Sequence, residues 1–135
     1  MINYRTGNHL TVEAFVSLLE ASTLGERRPI QDLPTIQAML DHADVLVTAW
    51  DGEKPVGVAR TLTDFKYIAY LSDLAVDTGY QRKGIGKELM RLTQEALEPS
   101  CSLLLLAAPA AKDYYAQFGM ENHPRAWFLQ APSTR

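Results

Sequence analysis

The sequence predicts an α+β (mixed α/β) fold in a single domain, 1–135, in which a mixed sheet carries helices on its faces. Three observations predict it. Strand-patterned segments run consecutively through the middle of the chain, at 45–50, 55–62 and 67–76. Beyond residue 86 strand and helix patterns alternate, which a sheet covered by helices produces. The length of 135 residues suits one domain with its own core.

Asn3, Tyr4 and Arg5 form a short first strand. Residues 11–24 follow as a helix whose stripe is Val12, Phe15, Val16, Leu18 and Leu19, with Thr11 as N-cap. Arg27-Arg28-Pro29 breaks it. Residues 32–42 make a second helix, with Leu33, Ile36, Met39 and Leu40 on one face, Asp32 as cap and Pro34 in the first turn. The pattern then becomes β-rich at 45–50, Asp51-Gly52 signals a hairpin, and 55–62 returns. After a turn at Thr63-Asp64 comes the longer strand 67–76. Residues 86–97 are an amphipathic helix with Leu89, Met90, Leu92 and Leu97, ended by Pro99. The apolar run from Ser102 to Ala107 reads as a strand covered on both faces. Residues 110–118 read as a short helix closed by Gly119, 120–130 as one or two last strands, and 131–135 as a loose tail.

Bulk composition narrows the function. The formal charge of −3 argues against nucleic acid as partner, since phosphate backbones select cationic faces. The longest apolar run, 103–108, is too short to cross a bilayer, so no membrane partner is expected. Cys101 is the single cysteine, and Met1 is followed by Ile-Asn-Tyr-Arg rather than by an apolar leader. The expectation is a reducing, cytoplasmic setting and a buried thiol. His9, His42 and His123 lack metal-ligand spacing, so no metal is expected.

The chemistry concentrates between Leu71 and Leu89. Here strand runs into loop and loop into helix, with Gly84 and Gly86 at the helix start and Arg82, Lys83 and Lys87 around them. Orphan N–H groups at a helix N-terminus favour anions, and glycine lets a bulky anion reach the backbone. This is the physics of a phosphate or pyrophosphate cradle. It is not a P-loop, because Gln81 stands at the first glycine position and Glu88 follows Gly86-Lys87. Nor is it a dinucleotide fingerprint, because Leu89 stands where the third glycine belongs.

Gln81-Arg82-Lys83-Gly84-Ile85-Gly86 resembles the Gln/Arg-x-x-Gly-x-Gly/Ala motif of the GNAT (GCN5-related N-acetyltransferase) superfamily. The Leu74-Ala75-Val76 lead-in, the helix at Leu89-Met90 and the Ala-x-x-Tyr-Tyr-x-x-x-Gly-Met from Ala111 to Met120 extend the resemblance over about the whole chain. It implies a twisted, mainly antiparallel sheet of about six to seven strands with about four helices and splayed central strands. It implies acetyl-CoA as co-substrate. Backbone groups of Gln81, Arg82, Lys83, Gly84, Ile85, Gly86 and Lys87 would hold the diphosphate. Leu74, Ala75 and Val76 would meet the pantetheine arm and the thioester, in a gap beside the strand starting at Ser102.

The same resemblance places the general acid at Tyr115, four residues before Gly119, with Tyr114 as the adjacent alternative. A phenol is protonated at neutral pH and can return a proton to a thiolate. Asp73 is the candidate base or amine-binder, or else it caps a loop or orients another side chain. Many members carry an Asn seven residues before the tyrosine, and here that residue is Ala108. Arg60, at a strand end, could meet an acceptor carboxylate or a cofactor group, or form a surface ion pair; Tyr67, Trp50 and Trp127 could line the acceptor site or fill the core. The implied function is acetyl transfer to a small-molecule amine. A protein or peptide amine, or a CoA-binding module without turnover, are the alternatives. A homodimer paired through the C-terminal strands is the expectation by analogy.

Overall fold

The computed structural model describes residues 1–132, so the last three residues of the expected loose tail, 131–135, lie outside the described residues. The chain falls into two compact units, Met1–Leu105 and a second that begins at Leu106.

In the first unit, β1 (Ile2–Thr6) leads into α1 (Val12–Ala21) and α2 (Leu33–Asp41), then β2 (Val45–Asp51), β3 (Lys54–Thr63), β4 (Ile68–Val76), α3 (Ile85–Glu95) and β5 (Ser102–Leu105). The caps read from sequence hold: Thr11 Oγ1 accepts from the Ala14 amide at 3.1 Å, and Asp32 accepts from Thr35 with Pro34 behind it. The sheet order is β1-β2-β3-β4-β5. The first four strands pair antiparallel, and β5 joins β4 in parallel after the α3 crossover. The β2–β3 hairpin closes through Gly52 and Glu53, with Gly52 at φ +62°.

α1 and α2 cover one face. Phe15, Leu18, Leu19, Ile36 and Leu40 pack with Leu46, Trp50, Val58 and Ala75 in one buried cluster. Trp50 is therefore a core residue, with the Arg5 guanidinium 4.1 Å from its ring centre on the outside. α3 lies on the other face. Gly57, next to Val58 and so pointing oppositely, faces it: a Cβ there would stand 3.0 Å from Leu89 Cδ1 and 3.1 Å from Ile85 Cγ2. The absent side chain sets how closely the start of α3 approaches β3.

The architecture is the predicted one, with five strands and three α-helices rather than six to seven and about four. The difference lies at the C-terminal end. β5 is not covered on both faces; Ser102 and Leu104 are exposed, Leu103 and Leu105 half-buried, and no further strand pairs with it among the described residues. In the second unit, described by itself, the helix expected at 110–118 is two short 3₁₀ turns, Pro109–Ala111 and Tyr114–Phe118. Pieces this short do not repay α-helix nucleation. Gly119 closes the second turn at φ +78°, as its position predicted. Residues 120–130 form no strand. Pro124 removes a ladder donor, and His123 Nδ1 accepts the Arg125 amide in a local turn instead. The expected C-terminal pairing strands are thus not formed in this chain, and Trp127 is exposed.

Gly57→Ala should cost about 1–3 kcal/mol by overpacking against Ile85 and Leu89. Chemical denaturation checks this against wild type.

Candidate functional site

The site is built around the far half of β4. β5 pairs only with Ile68 to Leu71, while β4 continues to Val76. On its other side β4 stays paired with β3 to Val76↔Gly57, and the Asp77 amide donates to Val56 O at 2.8 Å. That bond fixes the antiparallel alternation. The backbone groups of Ala75 point to β3, and the N–H groups of Leu74 and Val76 point the other way, along the stretch that β5 does not reach. β4 therefore runs on past the end of β5 from Ser72, on the side where the splay is expected.

Ser72 is also an irregularity. Thr61 pairs with Leu71 but Arg60 pairs with Asp73, so Ser72 is an extra residue in β4. Paired residues share a face, and Arg60 and Thr61 are on opposite faces. Leu71 and Asp73 therefore face opposite ways, although two residues apart. The bulge re-aims Asp73 to the α1/α2 face.

There Asp73 is fully buried between two guanidiniums. Arg60 Nε donates to Oδ2, and Arg28 Nε donates to Oδ1 at 2.5 Å. Arg60 Nη2 donates to Ser72 Oγ at 2.8 Å, and Arg28 Nη2 donates to Ser72 O at 2.7 Å. Both carboxylate oxygens, and the carbonyl and hydroxyl of Ser72, are engaged. Asp73 thus meets two arginine side chains from other parts of the fold. Arg60 is corrected on two counts. It lies inside β3 rather than at its end, and its ion pair is buried rather than on the surface.

Beyond Val76 the loop is held on several sides. Asp77 accepts from the Gly79 amide at 2.8 Å and pairs with Lys54, whose Nζ lies 5.2 Å from the Tyr80 ring centre. Tyr80 donates its hydroxyl to Asp51 at 2.6 Å, which raises the phenol pKa above its ordinary value. Gln81 Nε2 donates to Val76 O at 3.1 Å. Arg82 then takes φ +64° and Gly84 φ +80°, two left-handed residues that turn the chain into α3. The first helical bond is Glu88 N to Gly84 O, so the amides of Ile85, Gly86 and Lys87 precede it, and Gly84 offers no capping side chain. Gln81, Arg82, Lys83, Gly84 and Lys87 are exposed, and Ile85 anchors the turn in the core. Amides at a helix start with Arg82, Lys83 and Lys87 adjacent in the chain suit a diphosphate.

In the second unit Tyr114 and Tyr115 meet edge to face at 5.1 Å, and Tyr114 meets Phe118 the same way at 5.2 Å. Burial, and then the neighbouring Tyr114, raise the Tyr115 pKa, so its proton is held through neutral pH. Of the remaining candidates, Tyr67 is exposed, and Cys101 is half-buried rather than buried, 3.7 Å from Thr63 Oγ1. No group of three metal-ligating side chains occurs among the described residues. Sequence reasoning missed Arg28, Ser72 and Tyr80. Arg28 was legible only as part of a helix-breaking Arg-Arg-Pro.

Comparisons with known proteins bear on the family and the fold. The profile of the Acetyltransferase (GNAT) family matches residues 12–120. GCN5-related N-acetyltransferase 1, chloroplastic, of Arabidopsis thaliana is 30% identical over 100 residues, which are 71% of this chain and 51% of the relative. The chain thus spans about half the length of that curated relative. A GNAT-family acetyltransferase from Streptococcus pneumoniae superposes with TM-score 0.75 at 25% identity, covering 97% of this chain and all of the other. An aminoglycoside N-acetyltransferase in complex with CoA shares the fold, with TM-score 0.73 at 17% identity, covering 98% and 96% of the two chains.

Asp73→Asn should destabilise the protein by about 3–5 kcal/mol, because it leaves two guanidiniums without their counter-charge. Urea denaturation of the variant measures this.

Proposed function

The chain belongs to the acetyltransferase (GNAT) family, and on that premise we propose that it is an N-acetyltransferase that moves an acetyl group from acetyl-CoA to a primary amine of a small molecule. The observation that carries the reading is the splay of β4 from β5 ending at the amides of Ile85, Gly86 and Lys87. A diphosphate held at those amides would lead its attached arm back along the open edge of β4. The family uses acetyl-CoA, whose thioester supplies an activated acyl group. The aminoglycoside enzyme that shares the fold works on a small-molecule amine, and we carry that substrate class over.

In this reading the main chain does most of the binding. The amides of Ile85, Gly86 and Lys87, with Arg82, Lys83 and Lys87, hold the diphosphate. Gln81 keeps the loop against Val76. The N–H groups of Leu74 and Val76 hold the pantetheine arm, and Ala75 between them has its backbone groups directed to β3. The acceptor nitrogen forms a bond to the acyl carbon as the carbon–sulfur bond breaks. The amine gives up a proton, which leaves through water, because both oxygens of Asp73 already accept from arginines. The sulfur receives a proton from Tyr115, whose raised pKa makes it a donor and not a base at neutral pH.

A CoA-binding module without turnover is the second reading. Ala108 in place of the family's asparagine and the fully engaged Asp73 favour it. Thiol release from acetyl-CoA with a panel of amines separates the two: CoA binding with no release on any amine supports the second.

Gly84→Val should weaken CoA binding about tenfold or more by calorimetry while far-UV dichroism stays native. A valine resists φ +80°, but its Cβ would meet no atom within 4 Å. Tyr115→Phe should lower kcat about 100-fold with little change in CoA affinity. Since burial raises the Tyr115 pKa, loss of its proton, and of wild-type rate, should come only above the ordinary phenol range; a pH–rate profile checks this.

A further inference from the structure

Arg28 and Arg60 share one carboxylate. Their other acceptors are neutral: the carbonyls of Arg27, Met39 and Ser72 and the Ser72 hydroxyl. Within this bonded group there are two cations and one anion. Such a group in a buried setting favours a second anion.

The two arginines are not equivalent. The Arg60 side chain is 7% exposed, and it locks the bulge from inside. The Arg28 side chain is 23% exposed. It donates to Ser72 O, the first residue of β4 beyond the last β5 pair, Leu71↔Leu105. Arg28 therefore stands at the head of the splay, with one side of its guanidinium committed to β4. A guanidinium carries five N–H donors; the three bonds to Asp73, Ser72 and Arg27 leave two. At a rise of about 3.3 Å per residue, Ser72 lies roughly 7 Å along the strand from Leu74. A carboxylate on Arg28 would leave a short chain's span between itself and the acyl group.

We propose that Arg28 is a specificity-determining residue that receives the carboxylate of the acceptor, so that the substrates are short-chain amino carboxylates. The inference rests on the reading of the splay as the acyl-transfer slot. Arg82, Lys83 and Lys87 are not the receiving cations, because in that reading they hold the diphosphate at the other end of the edge. A planar fork suits a planar carboxylate, which a lysine ammonium would hold less specifically.

The test is acetyl transfer by the full chain to matched pairs: glycine, β-alanine and γ-aminobutyrate, each against its primary amide. In wild type at least one carboxylate member should exceed its amide in kcat/KM by about tenfold or more, chiefly through KM. In Arg28→Gln that ratio should collapse toward one, and in Arg28→Lys part of it should remain. Propionate, which has no amine, should compete with the acceptor in wild type. A wild-type ratio near one in all three pairs, with amides acetylated, overturns the inference and leaves the transferase reading standing. So does an equal loss on both members of a pair in a folded Arg28→Gln protein, which would confine Arg28 to holding β4. Should Arg28→Gln not fold, the wild-type ratio and the propionate competition decide. Absence of both CoA binding and transfer to any amine overturns the two readings together.

Discussion

The register of β4 against β3 depends on one buried contact. Asp73 sits opposite Arg60 because Ser72 is squeezed out of the ladder, and the ion pair holds that offset in place. Without the extra residue, Leu71, Asp73 and Ala75 would share a face, and a carboxylate would lie in an apolar stripe. With it, β4 presents Leu71 to one layer and Asp73 and Ala75 to the other. The bulge also raises local twist just where β5 stops pairing. The open edge that the proposed reaction needs is thus a by-product of how one charge is kept satisfied in the core.

Much of the frame was legible because its signals are local. Thr11 and Asp32 announce their helices within one turn, and Pro34 fits the first turn of α2. Gly84 and Gly119 occupy left-handed positions that few other residues accept. The glycine loop could be placed at the start of α3 because strand, loop and helix follow each other directly. What was not legible depends on distant partners. Arg28 and Asp73 are 45 residues apart, and nothing near either announces the pairing. Arg60 read as a strand-end cation because its burial depends on α2 and β4 arriving on either side. Ser72 as a bulge requires the register of two strands at once.

The C-terminal segment erred in the other direction. Trp127, Phe128 and Leu129 have strand composition, but composition alone does not supply a neighbour with free backbone groups. Pro124 and the His123–Arg125 contact shape the chain there as a turn. The paired tyrosines illustrate the same limit. The family resemblance singled out Tyr115 by its place four residues before Gly119, while its edge-to-face contact with Tyr114 is visible only in the structure.

Tyr80 and Asp51 tie the turn proposed to hold the diphosphate to the tip of a hairpin on which no chemistry is proposed. With Lys54 and Asp77 alongside, the tether immobilises the turn before any guest arrives. The entropy of ordering that segment is then spent during folding and not at each encounter. Drift in the hairpin tip would in consequence be felt as weaker retention of the nucleotide carrier, although no atom of Asp51 belongs to the cradle.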